Sequence, residues 1–399
     1  MATAEKTPRF THPAARGACP FAPPPAYDEA RREEPVSRVT LWDGSTSWLV
    51  TRHEDIKAVL SDPRFSADST RPGFPFVSEG ARQLNTGRPT IIRMDDPEHA
   101  HFRRMLTGEF MVRKVEALRP EIQRIADELL DRMTDGRTSA DLVREFALPL
   151  PSLVICLLLG VPYQDHDFFQ GCSRVLLRRA STAEEVSTAQ AELAAYLVEL
   201  TEAKRARPDD SILSRLVERG ELSTEEIAGM GRLLLVAGHE TTANMTSLSV
   251  LALLRNPDQL DHLRKHPESV PGAVEELLRY LSIVHSGLTR VATEDVDVAG
   301  VRITAGEGVI CMVNTANRDE QEFPGADELD LTRDARRHLA FGFGVHQCLG
   351  QPLARLELQI ALTSVLRRLP ELRLAVPFEE VPFRGEMLVY GLHELPVSW

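Results

Sequence analysis

Ten residues near the carboxyl end, 341–350, combine residue types that could bind a metal. The segment reads Phe-Gly-Phe-Gly-Val-His-Gln-Cys-Leu-Gly, and its Cys348 comes just before an apolar helical pattern at 352–369. Backbone N–H groups and the dipole at a helix start stabilise negative charge, so this thiol is expected to ionise easily. A thiolate is a soft, electron-rich ligand for a transition metal. The three glycines allow a tight turn and a close approach to a flat partner. The alternative is a structural cysteine in a glycine-rich turn.

A long helix with a polar middle is the second feature. Ser223 with Glu226 three residues later is a capping box, and it predicts a helix that runs to about Arg255. About 32 residues at 1.5 Å each give a length of about 48 Å, enough to cross a molecule. Its apolar pattern is interrupted at 237–242, Ala-Gly-His-Glu-Thr-Thr, which costs helix stability and usually marks function. A zinc-protease His-Glu-x-x-His motif is excluded there, because position 243 is alanine.

These motifs together resemble those of the cytochrome P450 superfamily, the haem-thiolate monooxygenases. The resemblance rests on the 341–350 loop and on the acid–alcohol pair Glu240-Thr241, and it covers nearly the whole chain. Segments such as Cys19-Pro20-Phe21 and the sequence at 62–66 are similar to the actinomycete branch of the family. The resemblance implies haem b as the cofactor and Cys348 as the axial ligand of its iron.

The resemblance also implies roles for the polar middle of the long helix. Glu240 and Thr241 match the acid and alcohol that deliver protons, with Thr241 positioning a water and Glu240 linking that water to solvent. Ala237 and Gly238 match the small residues that let the helix bulge over the haem and admit O2. The residues implied around the two propionates are His99, Arg103, Arg290 and His346. Phe341, Gly342 and Gly350 are implied beside the haem itself.

Two further sets follow with less specific signals. Glu276 and Arg279 resemble the family's buried Glu-x-x-Arg pair, which ties the core to the segment before the cysteine loop, although such a pair is commonly exposed. A mostly apolar pocket is expected for the substrate. Its predicted liners, most of which could equally be ordinary core, are Ile91, Ile92, Leu176, Leu233, Val236, Ile283, Val284, Ser286 and Leu388.

Composition limits the possible partners. The 399 residues carry a formal net charge of −13, which disfavours nucleic acid or an anionic membrane as the main partner. No run of 18 or more apolar residues occurs, so no membrane span is expected. The five cysteines fit neither a zinc site nor a disulfide framework, and the start lacks the apolar core of a signal peptide. These features together lead us to expect a cytoplasmic location.

The elements that must position these residues are predicted to be mainly helical. Residues 1–35 are polar and Pro-rich and predict an extended N-terminal arm, followed by a β-hairpin at 36–41 and 47–51. The remaining expectations are a helix at 54–60, an irregular loop over the pocket at 62–95, mostly helix from 98 to 369, strands at 287–313, and strands in the last 28 residues. This pattern predicts a mainly α (α+β) fold with small segregated sheets, in one domain over 1–399.

The resemblance implies a monooxygenase that inserts one atom of O2 into a C–H bond, or epoxidises an alkene. The expected substrate is a large apolar natural product or drug-like molecule, and Arg71, Arg82 or Arg93 could hold a polar group of it. Two alternatives stay open. A peroxide-driven peroxygenase would use the same loop without needing Glu240 and Thr241, and a non-catalytic haem sensor or binding protein would need no proton relay.

Electron supply is the last inference. The resemblance implies NAD(P)H as the source, with transfer through a ferredoxin reductase and a ferredoxin. Basic residues on an otherwise acidic chain are expected beside the cysteine loop and suggest that the ferredoxin is acidic. They are Arg103, Arg104, Arg113, Lys114, Arg336, Arg337, His338 and Arg355.

Overall fold

Helices make up most of the protein, whose computed structural model describes residues 7–87 and 89–399. The α-helices of this part of the chain are α1 (Pro25–Glu33), α2 (His53–Ser61), α3 (Glu79–Leu84), α4 (Glu98–Thr107), α5 (Val112–Glu116), α6 (Arg119–Thr134), α7 (Pro149–Leu159), α8 (His166–Leu177), α9 (Ala183–Ala206), α10 (Ile212–Arg219), α11 (Thr224–Arg255), α12 (Pro257–Lys265), α13 (Val270–Leu281), α14 (Val313–Ala316) and α15 (Gln351–Arg368). Short 3-10 turns and one π-helical turn connect some of them.

The strands form small, separate sheets. They are β1 (Val36–Thr40), β2 (Thr46–Val50), β3 (Phe65–Ser66), β4 (Ser139–Asp141), β5 (Leu288–Ala292), β6 (Val296–Val298), β7 (Val301–Ile303), β8 (Gly308–Cys311), β9 (Arg373–Leu374) and β10 (Pro396–Ser398). One sheet has the order β1-β2-β8-β5-β3, with β2 and β8 parallel and the other pairs antiparallel. The others have the orders β4-β10-β9 and β6-β7. The predicted mainly α fold with segregated sheets is confirmed.

The long helix α11 lies at the centre of the molecule. Ser223 and Glu226 form both hydrogen bonds of the capping box, and the helix ends at Arg255, so its predicted bounds are confirmed. It packs against α7, α9 and α15. Every residue from Thr242 to Leu253 is buried, including polar residues such as Asn244 and Ser247, so this part of the helix is covered on all sides.

Two hydrophobic clusters account for most of the buried side chains. The larger contains residues of α4, α6, α7, α9, α11, α13 and α15, whereas the smaller joins α2 to the five-stranded sheet through residues such as Trp48, Ile56 and Val309. The parallel pairing of β2 with β8 brings the start of the chain against residues 308–311. On these contacts we propose one domain, as predicted from the sequence.

Several predicted elements need correction. The hairpin and α2 are confirmed within about one residue, but the supposedly extended arm at 1–35 contains α1, whose Tyr27 and Ala30 have no exposed surface. Residues 1–6 of that arm lie outside the described residues. The loop at 62–95 contains β3 and α3, the latter capped by Ser78, whose hydroxyl accepts a hydrogen bond from the Ala81 amide at 3.1 Å. The strands of the last 28 residues are only β9 and β10, with isolated bridges and a 3-10 turn at Phe378–Glu380 between them.

None of the helices in the described residues has the length and apolar content of a membrane span.

Candidate active site

The cysteine loop is held in a strained turn against α2. Cys348 follows the 3-10 turn Gly344–His346 and comes just before α15, and its amide donates to the Phe341 carbonyl at 2.8 Å. Gly344 has a φ of +72°, and a Cβ there would lie 2.3 Å from the Leu60 carbonyl oxygen. Only glycine fits this position, because any side chain would clash with backbone that cannot move aside.

The Cys348 thiol is partly desolvated. The residue is exposed, yet surrounding protein atoms desolvate the thiol and raise its pKa. The amides of Gly350 and Gln351 at the start of α15, together with two nearby arginines, oppose that rise. The expectation of an easily ionised thiol is therefore wrong for the protein alone, because desolvation outweighs the helix start. A bound cation would supply the missing stabilisation of the thiolate.

Histidines and arginines from three parts of the chain meet beside this loop. The rings of His99 on α4 and His346 lie with centroids 4.2 Å apart, and Nε2 of His99 is buried without a hydrogen-bond partner. Arg103, one turn after His99, donates from Nη2 to the Gln347 carbonyl at 2.6 Å. Burial, followed by the nearby Arg290, lowers the pKa of His346 to about 3. The structure thus brings together the four residues predicted around the propionates.

Arg93 joins this group, although it was predicted only as a residue that could hold a polar part of the substrate. Its Nη1 donates to Thr289 Oγ1 at 3.0 Å, next to Arg290, whose Nη1 donates to the Thr289 carbonyl at 2.8 Å. Burial and the charge of Arg290 lower the pKa of Arg93 to about 10. Neither arginine forms an ion pair with any carboxylate of the described residues. Two desolvated cations side by side favour a ligand that brings negative groups.

These residues fit an iron porphyrin with two propionates. Within residues 7–87 and 89–399, no cluster of three or more His, Cys, Asp or Glu side chains could chelate a metal. A metal bound to Cys348 must therefore bring most of its other ligands with it, as a macrocyclic complex does. The unpartnered His99 Nε2 and the unpaired arginines would then meet carboxylates. Gly350 adds to the fit, because a Cβ there would point into open space.

One face of α11 borders open space. Leu233, Val236, Ala237 and Thr241 are partly or fully accessible within a helix that is otherwise mostly buried, and their spacing places them on one side. Thr241 Oγ1 donates to the Ala237 carbonyl at 2.7 Å, leaving its own oxygen free to accept. These are the residues that a ligand in this space would touch.

Two expectations for α11 need correction. Gly238 does not face the open side, because a Cβ there would lie 2.9 Å from side-chain carbons of Ile155 on α7. Its absence of a side chain instead allows α7 and α11 to pack closely. The helix also stays α-helical through 237–242, so the predicted bulge does not break its secondary structure. Polar side chains such as His239 and Asn244 bond back to carbonyls four residues earlier.

Glu240 is not open to solvent as expected. The residue is 3% exposed, and its Oε2 accepts a hydrogen bond from Arg384 Nη1 at 2.9 Å. The same Arg384 nitrogen lies 3.4 Å from Asn244 Oδ1. Arg384 was missed in the sequence, because no local pattern links residues 144 positions apart.

The predicted substrate liners are only partly brought together. Ile91 and Leu233 line a cavity of about 350 Å³, whose walls also include Met94, Phe102 and residues of α9 that the sequence analysis did not suggest. Ile92 is exposed, whereas Leu176, Ile283 and Ser286 are buried, the first two in the larger hydrophobic cluster. Val284 pairs with Val389, next to Leu388, whose amide donates to the Leu177 carbonyl at 2.8 Å. The 350 Å³ cavity is thus lined by α9, α11 and the loop before α4.

Glu276 and Arg279 form a fully buried ion pair on α13, with Nε to Oε2 at 2.7 Å. Arg279 also donates to the carbonyls of Asn317, Ala326 and Glu328, in the irregular segment before the cysteine loop. These hydrogen bonds link α13 to this segment, and such a link is the role predicted for the pair.

Comparison with known proteins gives full-length matches. The family model described as Cytochrome P450 matches residues 26–382. "Cytochrome P450-SU2" of Streptomyces griseolus is 68% identical over 100% of both chains, and "Pentalenic acid synthase" of Streptomyces avermitilis is 51% identical over 96% of this chain and 95% of its own. The crystal structure of the mycinamicin VIII C21 methyl hydroxylase MycCI from Micromonospora griseorubida, bound to mycinamicin VIII, matches with a TM-score of 0.92 at 42% identity, covering 98% of this chain and 100% of that one.

Proposed function

Because the chain belongs to the cytochrome P450 family of haem b monooxygenases, we propose that it oxidises a large, mostly apolar molecule with electrons from NAD(P)H. The proposed route of the electrons is a ferredoxin reductase and an acidic ferredoxin. The observation that carries the proposal is the lone Cys348 thiol in a loop that meets His99 and Arg103, near two buried arginines that form no ion pair with the described residues.

When bound, the haem supplies activation of O2 and insertion of one oxygen atom into a C–H bond. Cys348 would hold the iron and donate electron density to it. His99, Arg103, Arg290, His346 and the newly found Arg93 would hold the propionates through charge-assisted hydrogen bonds.

Thr241 and Glu240 would deliver the protons that the reaction consumes. The Thr241 hydroxyl lies on the accessible face of α11 and can accept a hydrogen bond from a water while donating to the Ala237 carbonyl. Glu240 is adjacent, and only its Oε2 is bonded to the described residues. Its Oε1 can therefore bind a water that carries protons toward Thr241.

The CO-bound reduced enzyme tests the iron ligand. It should show the long-wavelength Soret band of a thiolate ligand, and Cys348→Ala should lose that band. Cys19→Ala, which removes another exposed cysteine, is the matched control and should keep it. An unchanged spectrum in Cys348→Ala would contradict the assignment.

The walls of the 350 Å³ cavity suit a large, mostly apolar substrate. Apolar side chains such as Met94, Phe102 and Leu233 dominate one part of it, and burying apolar surface yields about 25 cal/mol per Å². The match to a relative bound to mycinamicin VIII supports a bulky ligand. Titrations of large and small candidates, followed by the spectral shift that accompanies loss of the iron-bound water, test this class. Binding of only small compounds, of camphor size or less, would contradict it.

The ferredoxin would dock beside the cysteine loop. Of the predicted basic residues, His338 is buried and Arg355 pairs with Glu275, so neither is free to contact a partner. Arg104 and Arg113 are exposed and form no ion pair with the described residues. Exposed apolar side chains lie in the same segments, namely Met111, Val112 and Val345. An apolar centre with cations around it is suited to an acidic partner.

Reconstitution separates this proposal from the two alternatives. Turnover with ferredoxin, reductase and NAD(P)H is the expected result. Turnover with peroxide but none with ferredoxin, reductase and NAD(P)H would indicate a peroxygenase, and ligand binding without any turnover would indicate a sensor.

A further inference from the structure

Glu240, the proposed proton donor, forms a buried ion pair with Arg384. The exposed fractions of the two side chains are 4% and 11%, and within the described part of the chain the Arg384 side chain forms hydrogen bonds only with Glu240 and Asn244. Arg384 Nε is buried without a partner. A buried cation this poorly satisfied by other groups depends on the carboxylate, and the carboxylate depends on it.

The loop that carries Arg384 is pressed against α11. The Arg384 amide donates to the Gly391 carbonyl at 2.8 Å, and a Cβ at Gly391 would lie 1.8 Å from Asn244 Oδ1. The loop can therefore approach α11 this closely only because residue 391 is glycine. Arg384 is thus placed by backbone contacts as well as by its own ion pair.

The same loop is bonded to the segment that follows α8. Arg179 donates from its side chain to the carbonyls of Gly385 and Glu386, and its amide donates to Glu386 as well. The backbone of Arg384 is consequently fixed from two sides, by Gly391 and by the bonds of Arg179 to the next two residues.

We propose that Arg384 is a positioning residue for proton delivery. It holds Oε2 of Glu240 with a charge-assisted hydrogen bond, so that only Oε1 is presented to water. The inference rests on the proposed function, because it assigns Arg384 a role through Glu240 and no contact with substrate or cofactor. A purely structural ion pair is the alternative.

A double-mutant cycle distinguishes the two. Arg384→Gln should lower the product formed per NAD(P)H consumed severalfold, as Glu240→Gln should. The double variant should be no worse than Glu240→Gln alone, because Arg384 acts through that carboxylate. Effects that multiply in the double variant would overturn the proposal.

Infrared spectroscopy of the haem-loaded resting enzyme gives a readout that does not depend on turnover. The carboxyl bands of Glu240 are those that Glu240→Gln removes, and loss of the hydrogen bond from Arg384 Nη1 to Oε2 should shift them in Arg384→Gln. Arg384→Lys, which keeps a cationic donor, should shift them less. Unshifted bands in Arg384→Gln would overturn the proposal.

Arg318→Gln is the matched control for loss of a buried arginine. Arg318 is 2% exposed and forms an ion pair with Asp327. It is far in sequence from both Glu240 and Arg384. This variant should lower the unfolding temperature, but it should neither shift the infrared bands of Glu240 nor lower the product formed per NAD(P)H. If it uncouples the enzyme as strongly as Arg384→Gln does, destabilisation explains the effect and the positioning role is refuted.

The two possible failures can be told apart. If Glu240→Gln forms product as efficiently as the unmutated enzyme, the proposed proton relay is wrong. If Glu240→Gln uncouples the enzyme and Arg384→Gln does not, the relay stands and only the positioning role of Arg384 is refuted.

Discussion

The ring of His99 contacts the ring of His346 at a centroid distance of 4.2 Å, joining α4 to the loop that holds Cys348. His346 lies near Arg290, which forms no ion pair with the described residues. The contact explains how a helix near residue 100 and a loop near residue 345 can serve one cofactor.

Arg290→Ala should weaken haem retention. Leaving a buried charged partner unsatisfied costs about 1–3 kcal/mol, so haem release should be roughly 5–150 times faster. Transfer of haem to apomyoglobin measures that rate. Arg302→Ala, an exposed arginine paired with Asp295, is the control and should release haem at the normal rate. Equal rates in both variants would argue against the propionate assignment.

Thr241→Ala should uncouple the reaction. NAD(P)H would still be consumed, but hydrogen peroxide would replace much of the oxidised product, because the hydroxyl that positions the proton-carrying water is gone. Peroxide and product are measured per NAD(P)H. Thr242→Ala removes the neighbouring hydroxyl, which is buried and forms no hydrogen bond with the described residues. This variant should remain coupled. Turnover supported by added peroxide should survive Thr241→Ala better than turnover with O2. Normal coupling in Thr241→Ala would refute its role.

Arg113→Glu should slow reduction by an acidic ferredoxin. Charges across a partly solvated interface are screened by salt, with a Debye length of about 8 Å at physiological ionic strength. Stopped-flow reduction rates should fall as salt rises, and the variant should be slower at low salt. Arg302→Glu is the control, because it reverses an exposed charge that is not part of the proposed docking surface. A rate that does not depend on salt, or equal slowing by both variants, would speak against docking at this surface.

Glu276→Ala should destabilise the fold by about 3–5 kcal/mol, because it leaves the Arg279 charge buried and unpaired. Denaturant unfolding of the haem-loaded protein measures the loss. Glu121→Ala breaks an exposed pair with Arg124 and should cost less than about 1 kcal/mol. Similar losses in the two variants would be inconsistent with a buried structural tie.

Local patterns predicted the elements with clear start and stop signals. The capping box at Ser223 located α11, and the Cys348 loop located the start of α15. Helix α1 was missed because it begins at the last of three consecutive prolines and carries charged residues, so its apolar face is narrow. Such a short helix is stabilised by tertiary packing of residues such as Tyr27, which the sequence does not reveal.

The parts of the site that depend on long-range contacts could not be predicted. Arg384 and Glu240 are 144 residues apart, and Arg93 reaches Thr289 across 196 residues. Neither arginine belongs to a motif with a fixed spacing. The direction of Gly238 toward α7 was missed for the same reason, because its neighbour Ile155 lies on another helix.

The bonds from Arg279 to the carbonyls of residues 317, 326 and 328 have a consequence for the order of folding. The segment from 317 to 343 has no helix or strand of its own, and its local backbone hydrogen bonds form only separate turns. Its path is set by a guanidinium 38 to 49 residues away, which is in place only once α13 holds Arg279 beside Glu276, and closing such long loops costs chain entropy. We therefore expect the segment that leads to Cys348 to become ordered only after α13 has formed. Capture of the cofactor would then be a late step in the maturation of this protein.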